Sequence, residues 1–347
     1  VYDLAIIGGG PAGLTAAVKA GSEGLSVVVL EASSTLGGRA YQSPLIENVP
    51  GFPEGISGPA LFDGLAAQAR KFGAELWTDQ RVTALMRMGD KLWVATSDRN
   101  LYARSVIIAV GETTPKLDAL RPYEGRGVEY ACDATTLHEH AGQHVMLVGG
   151  GNSCAQLALA LADKGARRVT ILTRSPLAET TSMYLRQRLA AERGSRHQTP
   201  WITVVQGEIT TAHGDETLSR VSIAVHEGKV GLRPDHTYVF IGGVPATGWF
   251  SGAKTAEGYI LTGYDVPRED WPLYHTGDDG ITYLERSPYP QESSIPGVFV
   301  AGDVRAGATG GITVAFGEGT QAFQWIKREF LPGLDVNDTP AREETPV

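Results

Sequence analysis

Cys132 and Cys154 are the only two cysteines of this chain. Both fall in the stretch VEYACDATTLHEHAGQHVMLVGGGNSCAQLA, and neither has a second cysteine within a few residues. A lone thiol cannot hold two electrons as an intramolecular disulfide, so on its own it is limited to mixed disulfides, sulfenic acid or adducts. Paired with each other, the two would form a long-range dithiol, which requires their Cα atoms to come within about 7 Å. A third reading makes both of them small core residues, since free cysteine is often buried. Cys154 falls on the first turn of a predicted helix, where a lowered thiol pKa is expected. Asp133, next to Cys132, could serve as general acid for a leaving thiolate, or it could be an ordinary loop carboxylate. His138, His140 and His144 lie close together, but no carboxylate or cysteine completes a ligand set. No metal is expected, and the three read as residues that cap or solvate a short helix.

A second kind of chemistry is written in glycine. Gly8, Gly10 and Gly13, with Pro11 and Ala12 between them, give G-x-G-x-x-G directly after the apolar run LAII. The run has the all-apolar character of a buried parallel strand. The glycines permit a tight turn and let a pyrophosphate approach the backbone at a helix start. Glu31 closes the next predicted strand, where a carboxylate can accept hydrogen bonds from a ribose. The pattern returns in HVMLVGGGNSCAQLALALADKGARRVTILTR. There Gly149, Gly151 and Cys154 fill the three positions, with Asn152 and Ser153 between and Arg174 after the closing strand.

These motifs need elements to hold them. RVTALMRMGDKLWVATSDRNLYARSVIIAVGE reads as three strands, with a hairpin turn at GDK. IPGVFVAGDVRAG reads as a strand ending at Gly302 and Asp303, and GGITVAFGEGTQAFQWIKREF as a helix with a glycine-rich start. The aromatic segment from about Tyr264 to Pro290, which includes Trp271, Tyr274, Tyr283 and Tyr289, reads as a surface insertion packed on its own aromatics or as a docking surface for a partner. Two dinucleotide-type units, and a third ligand-contact motif near the end, imply an α/β chain with two Rossmann-like domains, one inserted in the other. The expected boundaries are 1–113 with 245–331 for the first domain, 114–244 for the inserted one, and 332–347 for an acidic, Pro-rich tail.

Composition narrows the function classes. The 347 residues suffice for two domains, and 42% hydrophobic with 20% charged residues fits a soluble globular protein. The net charge of −9 disfavours nucleic acid, whose phosphates need a basic face. No apolar run is long enough for a membrane span, and the first strand begins at once, so a cytoplasmic protein is expected.

The order of motifs resembles the low-molecular-weight thioredoxin reductase family of two-domain flavoproteins. The residues that carry the resemblance are IIGGGPAGLTAA, LGGRAYQ, IENVPGFPEGISG, VIIAVGE, VMLVGGGNS, YVFIGGVPAT and VFVAGDVRAGATGGITVAFGEG. The resemblance implies an FAD in the first domain. Gly8, Gly10 and Gly13 would face its pyrophosphate and Glu31 its adenosine ribose. Gly38, Arg39 and Asn48 would lie along the flavin, and Val82 near the adenine. Ala109 and Gly111, from VIIAVGE, belong to the same cofactor site. Asp303, after Gly302, would bind the ribityl chain, and the Gly311 and Ile312 amides the pyrimidine edge. It also implies a homodimer.

The chain departs from the family pattern in three places. Where the family carries C-x-x-C, the sequence reads Cys132-Asp133-Ala134-Thr135. The arginine cluster that reads the NADPH 2′-phosphate is reduced to Arg174. The third position of the second fingerprint is Cys154. These departures resemble a branch that takes electrons from ferredoxin or carries a second FAD in the nicotinamide place. The expected activity is therefore FAD-dependent disulfide oxidoreduction through a site made of Cys132, Cys154 and Asp133. Electrons would come from ferredoxin, a second flavin or NAD(P)H and pass to a protein such as thioredoxin. The alternative is flavin-only electron transfer between NAD(P)H and ferredoxin, with no redox disulfide.

Overall fold

The computed structural model describes residues 1–194, 201–272, 274–276, 282–284 and 286–329. The predicted tail lies outside the described residues. The first stretch of chain runs β1 (Tyr2–Ile7), α1 (Pro11–Ser22), β2 (Val27–Leu30), α2 (Gly58–Lys71), β3 (Glu75–Trp77), β4 (Val82–Met88), β5 (Lys91–Thr96), β6 (Asn100–Ile108) and β7 (Glu112–Thr113). The middle runs β8 (Val128–Glu129), β9 (His144–Val148), α3 (Asn152–Asp163), β10 (Arg168–Thr173), α4 (Leu177–Thr180), α5 (Met183–Gly194), β11 (Trp201–Gln206), β12 (Glu208–His213), β13 (Arg220–Val225), β14 (Gly228–Leu232), β15 (His236–Val239) and β16 (Val244–Pro245). The last stretch adds β17 (Tyr274–Thr276), β18 (Thr282–Leu284), β19 (Val298–Val300) and α6 (Ile312–Glu329).

The chain divides into two compact units. One comprises residues 1–40, 60–112 and 245–347, the other 41–59 and 113–244. The segment 41–59, which the sequence reading places in the first domain, groups with the middle of the chain. Ile46 and Ile56 pair across it as an isolated antiparallel bridge.

The first unit is built on a seven-stranded sheet of order β3-β2-β1-β6-β5-β4, with β19 also on β6. β6 is long enough to serve two partners on one edge. Its first half pairs antiparallel with β5, and Val106, Ile107 and Ile108 pair parallel with β19. The three strands read from the sequence at 82–108 are β4, β5 and β6, and the GDK turn joins β4 to β5 with Gly89 at φ 64°. Leu4 to Ile7 of β1 and all of β2 are buried, as strands covered on both faces must be. Helices α1 and α6 cross very closely. A Cβ on Gly319 would lie 2.1 Å from the Ala12 carbonyl oxygen, so only glycine allows this approach.

In the aromatic segment, Trp271 is buried and its indole N–H donates to the Arg286 carbonyl (2.7 Å). The Arg286 guanidinium lies over the Trp271 and Tyr289 rings and forms two hydrogen bonds to the fully buried Glu292 (2.6 and 2.8 Å). β17 and β18 form an antiparallel pair. The side chains of Tyr274 and Tyr283 are outside the described set.

The second unit carries a five-stranded parallel sheet, β11-β10-β9-β15-β8, and a three-stranded antiparallel sheet, β12-β13-β14. All five residues of β9 are buried. Among the described residues, no helix is long and apolar enough to cross a membrane.

Candidate functional site

Both units present the same strand–turn–helix device, and the strand registers align them residue by residue. Ile7 pairs with Leu30 in the first unit and Val148 with Leu172 in the second. The next residues, Gly8 and Gly149, each donate their amide to the carbonyl of that partner strand at 2.8 Å. Both have positive φ, 108° and 138°. A Cβ on Gly8 would lie 2.4 Å from the Ala109 carbonyl oxygen, and one on Gly149 would lie 2.2 Å from that of Phe240. Side chains are thus excluded where the turn passes the next strand. Gly10 and Gly151 instead face open space and stand as the N-caps of α1 and α3. Neither helix has an acid in its first turn, so each offers uncontested amides to an anion.

The same register makes Thr173 the counterpart of Glu31. In the first unit Glu31 accepts from the Gly9 amide (2.8 Å) and from the amide and hydroxyl of Ser33 (2.9 and 2.7 Å). Its carboxylate is fixed at the end of β2, beside the glycine turn. In the second unit Thr173 is neutral and donates its hydroxyl to the Ser175 carbonyl (2.8 Å). Arg174 follows it and is exposed. A clasp covers this second turn. Thr180 and Thr181 donate their hydroxyls to the Gly150 carbonyl (2.5 and 2.6 Å). Asn152 donates to the Ser182 hydroxyl (2.9 Å) and accepts from the Ser182 amide (2.8 Å). Ser153 is exposed on the first turn of α3. The clasp was not read from the sequence; the run Thr180-Thr181-Ser182 after the second strand was its only signal.

Around the first turn the structure gathers several predicted residues. A Cβ on Gly38 would lie 3.5 Å from the Gly10 Cα, and one on Gly302 would lie 3.3 Å from the Ala12 Cβ. Arg39 follows Gly38, and Asp303 follows Gly302. The Arg39 guanidinium donates to Asp303 (3.0 Å) and to Glu112 (2.6 Å), the residue after Gly111. Burial raises the Asp303 carboxyl pKa, while Arg39 pulls it back down. The Gly302 amide donates to Glu318 (2.7 Å), which also pairs with Arg305, so the loop at Asp303 is pinned to α6. Gly311 has φ 101° and open space beside it, and α6 begins at Ile312. Val82 is the buried first residue of β4. Asn48 lies in the segment that groups with the second unit. Open glycines at 10, 111 and 311, a carboxylate fixed beside the turn and two helix starts make a cradle that suits a dinucleotide such as FAD.

Of the three readings of the cysteines, their burial favours the one that makes them small core residues. Both are free and buried. Cys154 is 1% exposed, and complete burial pushes its thiol up to about 12. Burial thus works against the lowering expected at a helix start, because the loss of hydration disfavours the thiolate. Its sulfur packs 3.0 Å from where a Gly149 Cβ would stand, as a small residue filling the third fingerprint position. Cys132 is also pushed up to about 12, first by burial and then by the Asp133 and Glu129 carboxylates, while a hydrogen bond from Tyr238 works the other way. Asp133 is exposed, accepts from the amide and hydroxyl of Thr135 (2.8 and 2.6 Å), and is held below the usual carboxylate range by those bonds. That state favours the loop-carboxylate reading of Asp133 over the general-acid one.

The histidines also depart from the reading of a solvated cap. His138 is exposed, with its ring bonded to the Thr135 carbonyl (3.1 Å). His140 and His144 are buried. His140 links Gln143 and the Tyr238 hydroxyl, both at 2.8 Å, and His144 meets Thr170 at 2.9 Å. Tyr238 thus joins His140 to Cys132 in a buried polar group that the sequence reading missed. Among the described residues, no group of three or more His, Cys, Asp or Glu could hold a metal.

Comparison with known proteins fits this geometry. Residues 2–319 match the pyridine nucleotide-disulphide oxidoreductase family. The chain is 31% identical to a thioredoxin reductase of Streptomyces coelicolor, over 100% of this chain and 99% of that one. It is 30% identical to a ferredoxin–NADP reductase of Thermus thermophilus, over 99% and 97%. The crystal structure of the Lactococcus lactis thioredoxin reductase superposes with a TM-score of 0.77 at 28% identity, covering 94% of this chain and 97% of that one. The fold is therefore the thioredoxin reductase-like one, with its two Rossmann-like domains. By its family match, its full-length relatives and its paired glycine turns, this chain is a flavoprotein oxidoreductase that belongs to the pyridine nucleotide-disulphide oxidoreductase family.

Proposed function

We propose that this chain transfers electrons between a nicotinamide nucleotide and a redox carrier through FAD alone, without a redox disulfide. The observation that carries the reading is the state of the two thiols. Both are buried and pushed up to about 12, so the thiolate needed for exchange is scarce at neutral pH. Thr135 stands where a resolving cysteine would be needed. Of the two activities expected from the sequence, the burial favours the flavin-only one over disulfide reduction through Cys132 and Cys154. A ferredoxin is the proposed carrier, in keeping with the Thermus thermophilus relative, a ferredoxin–NADP reductase.

In this reading Gly8, Gly10, Pro11, Ala12 and Gly13 hold the FAD pyrophosphate at the start of α1. Glu31 receives the adenosine ribose, Asp303 the ribityl chain, and the Gly311 and Ile312 amides the pyrimidine edge. FAD, when bound, supplies the step between two-electron and one-electron chemistry. The turn at Gly149 and Gly151, with Asn152 and Ser153, receives the pyrophosphate of the nicotinamide nucleotide. Thr173 in place of a carboxylate cannot accept two ribose hydroxyls as Glu31 can, and Arg174 beside it offers a cation. The second turn therefore suits a 2′-phosphate better than a free ribose diol, and NADPH is the proposed donor.

Anaerobic reduction of the FAD-loaded chain by NADPH and by NADH, followed by mixing with ferredoxin or with oxidised thioredoxin, tests the reading. Flavin reduction by NADPH and onward transfer to ferredoxin, unchanged in Cys132→Ser and Cys154→Ala, is expected. Turnover of thioredoxin that both substitutions abolish would reverse the assignment in favour of the disulfide activity.

A further inference from the structure

Four separate parts of the chain bring charged or hydroxyl groups to the rim of the first glycine turn. Arg39 arrives from the short 3-10 turn after β2, Glu112 from β7, Tyr259 from the loop before β17, and Asp303 from the end of β19. One nitrogen of the Arg39 guanidinium donates to Glu112 Oε2 (2.6 Å) and to Asp303 Oδ2 (3.0 Å). The Tyr259 hydroxyl donates to the other Glu112 oxygen (2.7 Å). Glu112 is the most enclosed charge of the three, with its side chain 16% exposed against 40% for Arg39 and 31% for Asp303. It accepts on both oxygens and bridges Arg39 and Tyr259.

We propose that Glu112 is a positioning residue of the cofactor site, which together with Tyr259 fixes the Arg39 guanidinium at the rim of the first glycine turn and so sets the charge that bound FAD meets. The inference rests on reading that turn as the FAD site. Arg39 contributes one positive charge, and Glu112 and Asp303 one negative charge each, so the group is net negative by one. Reduction brings negative charge onto the cofactor. Nearby charges therefore move its midpoint potential in opposite directions, and a partly buried group does so more strongly than an exposed one.

Glu112→Gln keeps the shape of the side chain and its acceptor for Tyr259 while removing a negative charge. The midpoint potential of its bound FAD is expected to rise. Arg39→Gln is expected to lower it and to weaken FAD uptake by roughly tenfold, through the loss of a charge-assisted partner worth a little over 1 kcal/mol. In the double variant the two shifts should not add, because the part of the Glu112 effect that works through the position of Arg39 is lost with the guanidinium. Tyr259→Phe keeps every charge, and a several-fold loss of FAD affinity with little change in potential is expected. The measurements are FAD titration of the apoprotein and dye-equilibrated potentials of the loaded chain, with FAD content per chain recorded for each variant. Unmoved potentials in both single variants, or strictly additive shifts in the double variant, would overturn the inference. A wild-type chain that takes up no FAD would overturn the site reading and the inference with it. Failure of ferredoxin transfer alone overturns the carrier assignment, and the potentials still decide the role of Glu112.

Discussion

Cys154 shows how burial decides what a thiol can do. Its position on the first turn of a helix argues for a reactive thiol, yet its environment is a sealed core beneath Gly149 and Phe240. Position along a helix is visible in a sequence, but burial is settled by what packs above it. Cys154→Ala is expected to cost about 1 kcal/mol or less in thermal unfolding, since one small atom is removed. Cys154→Leu should cost about 1–3 kcal/mol, because the added carbons must displace the turn. At the other end of the motif, Gly8, Gly13 and Glu31 were legible as residues, since their types and spacing state their geometry. Glu112 and Tyr259 were not, because the bond joining them spans 147 positions and no local pattern marks either one. Arg174 carries the prediction for the second turn. Arg174→Ala should raise the KM for NADPH several-fold and leave that for NADH nearly unchanged, by steady-state flavin reduction with each donor.

At the scale of elements, the glycine turns were readable because strand, turn and helix follow one another without interruption. The partners of those elements were not. Nothing near Ala12 in the sequence announces that α6 will cross α1 at Gly319. The crossing leaves no room for a side chain, since a Cβ would overlap the Ala12 carbonyl. Gly319→Ala is expected to cost about 1–3 kcal/mol or more and to weaken FAD binding, because α1 follows the turn proposed to hold the FAD pyrophosphate. A chemical melt of the apoprotein, read beside FAD titration, checks both. The clasp from Thr180 to Ser182 is a similar case. Its hydroxyls reach back 30 positions to Gly150 and Asn152, and hydroxyl-rich loops are too common in sequences to have marked it.

At the scale of the molecule, the two units answer differently to solution conditions. Saturating FAD at about a hundred times its Kd should stabilise the first unit by roughly 2.7 kcal/mol. Scanning calorimetry should show that gain in one transition only. The second unit carries an acid-sensitive group. Burial, and then His140, depress the His236 imidazole from 6.5 to about 4. The facing groups are the Glu129 carboxylate at 3.8 Å and the His140 and Tyr238 rings, each 4.7 Å centroid to centroid. The unfolded chain therefore binds a proton that the folded unit refuses. Stability is complete above about pH 6.5 and falls as the pH drops toward 4, by roughly 2 kcal/mol once partial solvent screening is allowed for. His236→Gln should flatten that slope in urea melts between pH 7 and pH 4, with a residual slope from His144, which burial also depresses. That two such units exist was plain from the repeated fingerprint. That residues 41–59, rich in Pro and Gly, group with the middle of the chain was not, because a loop-like composition does not say which unit a segment joins.

The edge of β6 that receives β19 has a consequence for biosynthesis. As the chain leaves the ribosome, residues 106–108 emerge long before the strand at 298–300 that completes their sheet, and the helix that closes over Ala12 comes later still. The middle stretch finishes its own five-stranded sheet in the meantime, so it is expected to fold first, as a domain folding during synthesis does. Nascent chains arrested after residue 245 should yield a protease-resistant core from the middle of the sequence while the N-terminal stretch stays cleavable. Of the two units, the one whose translation starts earlier would thus be the later to close its cofactor cradle.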